Sequence, residues 1–478
     1  MKKIAGLLLA VLVFGNSLGV HAQAEPYVPE KDSLVLKKLD QWQDMKFGLL
    51  MHWGAYSQWG IVESWSICSE DVPWCRRPEG ISYVDYLKKY EELPKTFNPV
   101  GFDPDRWARA ARDAGMKYVV FTTKHHDGFN MFDTKYSDYK ITGADVPFHT
   151  NSKANVTKEI FDSFRREGFG IGAYFSKPDW HSKDYWAPEW ATPDRNNNYD
   201  TAKYPERWQK FKDFTYNQLN ELTTEYGKVD ILWLDGGWVK RRTPPWDATV
   251  GSGKVPWQQD IDMPRIAAMA RKNQPGLIIV DRDVHGPFEN YRTPEQQIPD
   301  KPLSYPWETC MTMATSWSYV PNDKYKPSRQ LIQMLVDIVA KGGNFLLNVG
   351  PSPNGEFAPD AYDRLRDIGS WMSVNGEAIY KTRPIAPYKE GKICYTSLKD
   401  GTVYAIYLAD ENENEPPAKI WLTGMTPAKD ARLQLLGVDT PLMWERIGNG
   451  VLIDIPEEVR KKAPGKFAWT VKISRISR

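Results

Sequence analysis

The chain has 478 residues, which is too long for one ordinary domain, so we expect one large and one smaller domain. Its formal net charge is +1 and it carries no long basic run, which argues against nucleic acid or an anionic membrane surface as a partner. The 20 Trp and 24 Tyr favour carbohydrate, because flat aromatic faces stack on sugar rings.

Residues 1–24 are predicted to be a signal peptide. Lys2 and Lys3 form a basic start, residues 4–14 form an apolar stretch too short to span a bilayer, and residues 20–24 offer small-residue cleavage sites. No later stretch is long and apolar enough to cross a membrane. We therefore expect an exported protein, periplasmic or secreted.

Short apolar runs alternate with helical segments from residue 25 to residue 383. Seven buried strands are expected, at 46–52, 118–123, 170–176, 230–235, 277–281, about 305–311 and 344–349. This alternation is typical of βα units around a parallel sheet, so we predict an α/β fold with a (β/α)8-type barrel that has one weak unit. A doubly wound open sheet is the alternative, but no Gly-x-Gly-x-x-Gly turn follows the first strand.

The composition changes in residues 384–478. Short runs of β-type residues are separated there by turns rich in Gly, Asn and Asp. This pattern predicts a C-terminal antiparallel β-sandwich.

The four cysteines are Cys68, Cys75, Cys310 and Cys394. A Cys68–Cys75 disulfide could close a small loop in an oxidising compartment. Four unpaired thiols are the alternative, which we favour.

Polar residues follow the predicted strands at equivalent positions. The C-terminal ends of the strands of a barrel share one mouth, where barrel enzymes place their catalytic groups. The residues in these positions are His52, His125-His126-Asp127, Asp179, Asp235 and Arg282. Asp235 ends an apolar run and precedes Gly236 and Gly237, so it is either a catalytic carboxylate or a turn residue.

His125, His126 and Asp127 raise the question of a metal site. Neighbouring residues of a strand point to opposite faces, so both imidazoles can reach one ion only beyond the strand end. No third ligand has a typical spacing, so we expect no metal and no cofactor. Both histidines are then expected to donate to hydroxyl groups, unless one orients the loop through Asp127.

Glu295 lies in a loop after the fifth predicted strand. A carboxyl group that faces Asp235 across a cleft would complete the pair that a glycosidase needs. Glu289 and Glu308 compete for this role, and sequence spacing does not choose among the three.

Four segments resemble the α-L-fucosidases of glycoside hydrolase family 29. They are FGLLMHWG at 47–54, KYVVFTTKHHDGF at 117–129, WLDGG at 233–237 and GGNFLLNVGP at 342–351. The resemblance extends from about residue 40 to 380. It implies a barrel with a C-terminal β-sandwich, a retaining mechanism without a metal, and a fucosylated oligosaccharide or glycoconjugate as substrate.

The resemblance also implies roles for individual residues. Asp235 matches the family nucleophile, and the segment Thr293–Gln296 resembles the one that carries the acid/base, here Glu295. Matches to sugar-contacting positions are His52, His125, His126, Tyr174, Trp233, Arg282 and Trp317. The family's Glu-Trp pair appears as Glu63-Ser64-Trp65, with one extra residue, and loop 66–95 departs from the simpler members.

Two other functions are compatible with these motifs. A non-catalytic carbohydrate-binding protein would keep the aromatic residues and lose a carboxylate, which Asp235 argues against. An α-L-galactosidase would keep every motif, because L-fucose differs from L-galactose only by a methyl group in place of the hydroxymethyl. We expect Trp317 and Tyr174 to contact that methyl group.

Overall fold

The computed structural model describes residues 26–69, 75, 78–190, 193–242, 249–250, 253–254 and 257–477. The described residues begin at Pro26, so the predicted signal peptide lies outside them. Among the described residues, no helix has the length and apolar character that a membrane span requires.

Seven parallel strands form the sheet of the large domain. They are β1 Phe47–Met51, β2 Tyr118–Lys124, β3 Gly170–Ser176, β4 Ile231–Asp235, β7 Ile278–Asp281, β8 Glu308–Thr312 and β9 Asn344–Val349, with a short antiparallel pair, β5 Thr249–Val250 and β6 Gly253–Lys254, in the loop after β4. Their order in the sheet is β7-β4-β3-β2-β1-β9-β8. Every residue of these seven strands is buried except Asp235, as expected for parallel strands covered on both faces.

Helices connect and cover the strands. They are α1 Ser33–Met45, α2 Tyr83–Glu91, α3 Pro104–Asp113, α4 Val156–Arg166, α5 Pro205–Thr224, α6 Met263–Asn273, α7 Ser328–Ala340 and α8 Pro359–Asn375. The start of α3 follows the predicted signal, since the Asp103 side chain accepts from the Arg106 N–H and Pro104 occupies the first turn. Gly115 then adopts a φ of 87°, a conformation that favours glycine and ends the helix.

An irregular segment lies between the two edge strands, β7 and β8. Glu289 forms an isolated antiparallel bridge with Val280 of β7, and Glu295 forms a parallel one with Cys310 of β8. The prediction of a curled, barrel-like parallel sheet is therefore confirmed, with this segment in the position of an eighth strand.

The C-terminal region is an eight-stranded antiparallel sheet. Its strands are β10 Arg383–Glu390, β11 Ile393–Ser397, β12 Val403–Leu408, β13 Lys419–Leu422, β14 Leu433–Leu435, β15 Pro441–Ile447, β16 Gly450–Asp454 and β17 Ala468–Ile473, with helix α9 Glu457–Lys462 before the last strand. Their order is β10-β11-β12-β17-β14-β15-β16-β13. Strands from both ends of this order contribute to one core, including Ile393 of β11 and Ile420 of β13. The sheet thus folds back on itself, as in the predicted β-sandwich.

All four cysteines belong to the described residues, are buried, and form no disulfide. Burial, together with the nearby Glu63 carboxyl, raises the pKa of the Cys75 thiol to about 12. The structure therefore shows four unpaired thiols and no Cys68–Cys75 disulfide.

Candidate active site

A cavity of about 440 Å³ opens at the C-terminal ends of the barrel strands. Its wall contains the predicted strand-end residues together with groups from the following loops. The lining residues are Leu50, His52, Val62, Glu63, Trp65, His125, Tyr174, Arg195, Trp233, Asp235, Gly237, Trp238, Lys240, Arg282, Asp283, Glu295, Cys310 and Trp317. Ten of the eleven predicted site residues are therefore at one place, and the eleventh, His126, lies against Asp235.

Asp235 is the last residue of β4, and four groups surround its carboxyl. Oδ1 accepts from Arg282 Nη1 at 2.9 Å and from the Gly236 N–H at 2.8 Å, while Oδ2 accepts from the Tyr174 hydroxyl at 2.7 Å. His126 Nε2 lies 3.6 Å from Oδ2. Burial by itself would raise the pKa of Asp235, but Arg282, His126 and Tyr174 outweigh it and lower the pKa far below its usual value. The carboxyl is therefore an anion at neutral pH.

Glu295 lies on the far side of Arg282. Its Oε2 accepts a hydrogen bond from Arg282 Nη2, so one guanidinium binds both Glu295 and Asp235 through its two terminal nitrogens. The Glu295 side chain is 41% exposed, whereas that of Asp235 is 14% exposed. A retaining pair of carboxyl groups lies about 5–5.5 Å apart, which is compatible with two carboxylates that share one guanidinium.

Glu63 presents a third carboxyl group to the cavity. It is 1% exposed, and neither of its oxygens has a hydrogen-bond partner among the described residues. Burial, followed by the charges of Glu295 and Asp235, raises the pKa of Glu63 well above its usual value. The raised pKa favours the neutral carboxylic acid, which can donate a hydrogen bond to a ligand.

Three histidines at the ends of β1 and β2 point their ring nitrogens at polar partners. The Nδ1 atoms of His52, His125 and His126 lie 2.8 Å from Asn348 Oδ1, 2.5 Å from Ser64 Oγ and 2.6 Å from Ser176 Oγ, respectively. Burial lowers the pKa of His52 to about 4 and that of His126 to about 3, and it lowers the pKa of His125 well below its usual value. All three rings are therefore neutral at neutral pH.

The two histidines after β2 both reach the site because the strand ends at Lys124. Ligand atoms of His125, His126 and Asp235 lie within 4.8 Å of one another, which is a possible arrangement for a metal ion. The Asp235 carboxyl in this group already binds the Arg282 cation through Oδ1. Asp127 is not part of the group, since it accepts from the Tyr90 hydroxyl and the Phe129 N–H. The expectation of no metal stays a prediction.

Aromatic rings form the walls of the cavity. Tyr174 stacks between Trp233 and His125, with ring centroids 5.2 and 5.6 Å apart. Trp317 packs near His52 at 5.2 Å, and Trp65 lies 5.1 Å from the His126 ring. These stacked rings hold the polar side chains of the site in fixed positions.

Glu289 and Glu308, the competitors of Glu295, are absent from the lining of this cavity. Glu289 is buried and accepts from the backbone N–H groups of Asp283 and His285. Glu308 is buried behind Trp233, whose indole N–H donates to it, and burial raises its pKa to about 7. Both carboxyls therefore have structural partners that Glu295 lacks.

A wider groove of about 1160 Å³ adjoins the cavity at Val62. It is lined mainly by residues between Trp59 and Glu92, and none of the predicted site residues contributes to it. The larger space thus lacks the catalytic groups, which all belong to the smaller cavity.

Comparisons with known proteins agree with this arrangement. The model of the family "Alpha-L-fucosidase" matches residues 16–377, and that of the "Alpha-L-fucosidase C-terminal domain" matches residues 388–474. The chain belongs to the α-L-fucosidase family. The predicted domain boundary between residues 383 and 384 lies between the two matched ranges and stays a prediction.

Relatives of this α-L-fucosidase family match nearly the whole chain. Human tissue α-L-fucosidase is 29% identical over 491 residues, covering 98% of this chain and 97% of that protein, and human plasma α-L-fucosidase is 29% identical over 478 residues, covering 95% and 93%. The structure of α-L-fucosidase isoenzyme 1 from Paenibacillus thiaminolyticus has a TM-score of 0.73 and 28% identity, covering 93% of this chain and 100% of that chain. A family 29 α-L-fucosidase of Bacteroides thetaiotaomicron, solved as a trapped covalent intermediate with 2-fluoro-fucosyl fluoride, shares the fold, with a TM-score of 0.69, 22% identity, and coverage of 94% and 98%.

Sequence reasoning missed several residues that line this cavity. They are Leu50, Val62, Arg195, Gly237, Trp238, Lys240, Asp283 and Cys310. Leu50 could have been found, because it lies two positions before His52 on the same face of β1, and Trp238 ends the segment that contains Asp235. Arg195 belongs to a long loop after β3 and carries no sequence signal. Asp179, which follows β3, is not in the site; it forms a buried ion pair with Lys124 at 2.9 Å.

Proposed function

We propose that this chain is an exo-acting retaining α-L-fucosidase, which removes terminal α-L-fucose from a fucosylated oligosaccharide or glycoconjugate. The observation that carries the proposal is the pair of carboxyl groups, Asp235 and Glu295, that one arginine holds at the cavity. The family membership and the family relatives support fucose as the sugar.

Two displacements follow from the positions of the two carboxyls. Asp235 attacks the anomeric carbon, while Glu295 gives its proton to the departing glycosidic oxygen. The product is a fucosyl ester of Asp235 and the free leaving group. Water then attacks the anomeric carbon and displaces the Asp235 carboxylate, while Glu295 takes the water proton. Fucose leaves with its original anomeric configuration. The covalent intermediate trapped in the Bacteroides neighbour supports this route.

The remaining lining residues have roles in binding under this proposal. Glu63, His52, His125 and Arg282 meet the ring hydroxyls, while Trp65 and Trp233 form walls for the ring. His126 meets the sugar from its position beside Asp235. An apolar corner of Leu50, Cys310 and Trp317 offers a place for the C6 methyl group. The Tyr174 hydroxyl donates to Asp235, so the methyl contact depends mainly on Trp317 and its two neighbours.

The test is hydrolysis of an aryl α-L-fucoside. Proton NMR spectra recorded from the first seconds of the reaction identify the anomer of fucose that forms first. The expected first product is the α-anomer of fucose, and β-fucose as the first product would contradict retention. The ratio of kcat/KM for the fucoside over the matched α-L-galactoside tests the sugar, and a value below one would favour the galactosidase alternative. An apolar pocket rejects an added hydroxyl by roughly a hundredfold at best. Turnover of either substrate excludes a non-catalytic binding protein.

We also propose that the protein is exported, periplasmic or secreted, after cleavage near residue 24. The basic start and the short apolar stretch of residues 1–24 support this. Mass spectrometry of the mature N-terminus from cells that express the full chain tests it, and retention of Met1 in the folded protein would refute it.

A further inference from the structure

The imidazole of His126 is held by aromatic neighbours on several sides. Its centroid lies 5.1 Å from that of Trp65, 5.1 Å from that of Trp180 and 5.4 Å from that of Trp238. The side chain is 1% exposed, so the packing fixes the orientation of the ring. What the packing leaves open is which ring nitrogen carries the proton.

Ser176 decides this question through its single hydroxyl proton. Ser176 is the last residue of β3, is fully buried, and is paired in register with Asp235 of β4. Its Oγ donates to the Pro178 carbonyl at 2.5 Å and lies 2.6 Å from His126 Nδ1. Since the hydroxyl proton is used at Pro178, Oγ can only accept at the histidine, so Nδ1 carries the ring proton.

The other nitrogen of His126 then presents a lone pair to the site. Nε2 lies 3.6 Å from Asp235 Oδ2, so two hydrogen-bond acceptors face each other beside the nucleophile. Asp235 Oδ2 already accepts from the Tyr174 hydroxyl, so Nε2 is the acceptor without a donor, and a sugar hydroxyl can supply one. From the sequence we expected His126 to donate to a hydroxyl; this geometry makes it an acceptor.

The ring proton of His52 is also on Nδ1, for an independent reason. The Asn348 amide nitrogen donates to the Trp317 carbonyl at 2.6 Å, which turns its oxygen toward His52 Nδ1 at 2.8 Å. That oxygen accepts, so Nδ1 of His52 also carries the proton and its Nε2 is an acceptor.

We propose that Ser176 is a positioning residue that holds His126 in the Nδ1–H tautomer, so that Nε2 accepts a hydrogen bond from one sugar hydroxyl beside Asp235. The tautomer follows from the protein alone, whereas the role of the sugar rests on the proposed function. The hydroxyl is thereby oriented as a donor to Nε2 while the nucleophile approaches the anomeric carbon.

The first test measures the tautomer directly, without substrate. Nitrogen-15 labelling of the seven histidines gives imidazole correlations that distinguish a protonated from a bare ring nitrogen, and His126→Gln assigns the signal by its disappearance. The wild-type protein should show Nδ1 protonated and Nε2 bare for His126. A protonated Nε2 in the wild type overturns the proposal, whatever the activity.

The second test removes the hydroxyl and asks which sugar group loses its partner. Ser176→Ala should shift His126 toward a mixture of tautomers and lower kcat/KM by about tenfold, the size expected for one hydrogen bond. Ser176→Thr keeps the hydroxyl and should therefore keep the Nδ1–H tautomer of His126. This variant tests the proposal even if Ser176→Ala fails to fold. Ser57→Ala is the matched control, because Ser57 is equally buried and its hydroxyl donates to the Gly54 carbonyl, and neither residue lines the cavity.

Monodeoxy aryl fucosides provide the substrate arm. In the wild type, removal of one ring hydroxyl should cost about tenfold through the lost contact with His126, and this cost should disappear in Ser176→Ala while the costs of the other hydroxyls persist. Unchanged costs for every hydroxyl, together with an unchanged tautomer in Ser176→Ala, would overturn the positioning role. Failure of the wild type to hydrolyse any fucoside would refute the proposed function and leave the measured tautomer standing.

Discussion

Arg282 donates from Nη1 to Asp235 Oδ1 at 2.9 Å, and both side chains are almost fully buried. A buried carboxylate without a partner would take up a proton, and this arginine keeps Asp235 ionised and therefore nucleophilic. The same guanidinium also binds Glu295, so one cation contacts both carboxyl groups.

Replacing this cation should change the pH dependence of the reaction. Burial raises the pKa of Asp235 and Arg282 is the first of the groups that lower it, so Arg282→Met should raise that pKa. The acidic limb of the kcat/KM profile should move to higher pH, because Asp235 is protonated earlier as the pH falls. Arg265→Met is a suitable control, since Arg265 pairs with Asp213 at 3.0 Å on the exposed surface. An acidic limb at the wild-type position would contradict this account of Asp235.

Asp235 should be the residue that becomes covalently linked to the sugar. Asp235→Asn should remain folded and lose activity by at least about a thousandfold. A 2-fluoro-fucosyl inactivator should label the wild-type peptide that contains Asp235, as mass spectrometry of a digest would show. Asp283→Asn serves as the control, because Asp283 is an exposed carboxylate of the same cavity and should lose far less activity. A label on another carboxylate would refute the assignment.

Glu295 should behave as the acid/base. Glu295→Ala should slow substrates with poor leaving groups much more than activated aryl fucosides, because only the former need a proton. Azide should restore activity and yield α-fucosyl azide, since this small anion needs no base and attacks the anomeric carbon of the fucosyl-enzyme from the same side as water.

Glu289→Gln and Glu308→Gln are the matched comparisons for Glu295. Both side chains are buried and hydrogen-bonded outside the cavity, so these variants should lose stability rather than show azide rescue. Azide rescue in either of them, and its absence in Glu295→Ala, would transfer the role.

Glu63 should make the stability of the protein depend on pH. Its folded-state pKa is raised above the usual 4.5, chiefly by burial, so the unfolded chain loses this proton at a lower pH than the native protein does. Stability therefore falls as the pH rises above about 4.5, until the folded pKa is reached.

Glu63→Gln removes this proton and keeps the shape of the side chain. The Tm of the variant minus that of the wild type should thus grow as the pH rises above about 4.5, which differential scanning calorimetry can follow. The matched control is Glu356→Gln, a half-exposed carboxylate on the surface, for which the difference should stay constant. A constant difference for Glu63→Gln would mean that Glu63 is ionised in the native protein.

The barrel strands were accessible from the sequence because both faces of a parallel sheet are covered. Such strands appear as uninterrupted apolar runs, and each of the seven predicted runs overlaps an observed strand, with bounds that differ by a few residues. The β-type character of the last part of the chain was equally local, since short strands and turns have their own composition.

The position of Asp235, the proposed nucleophile, was also evident from local order. Asp235 ends a buried strand and precedes two glycines, and the direction of the strand places it at the mouth of the barrel. Its motif gave the same answer independently.

The identity of its partner required the tertiary structure. Glu289, Glu295 and Glu308 lie in one stretch of 20 residues, and each is preceded by residues of similar character. Their environments separate only when β7, β8 and the segment between them meet, because a carboxyl group's partners come from distant parts of the chain. Arg282 binds Glu295, whereas Trp233 and Tyr118 bind Glu308.

Which ring nitrogen of each histidine carries the proton was likewise decided by the tertiary structure. The sequence by itself determined that His126 reaches the site, but not which nitrogen holds its proton. That depends on Ser176, 50 residues later in the chain, whose one hydroxyl proton is committed to the Pro178 carbonyl. The direction of each hydrogen bond depends on the other bonds that its two partners make. These partners meet only when β2, β3 and β4 lie side by side.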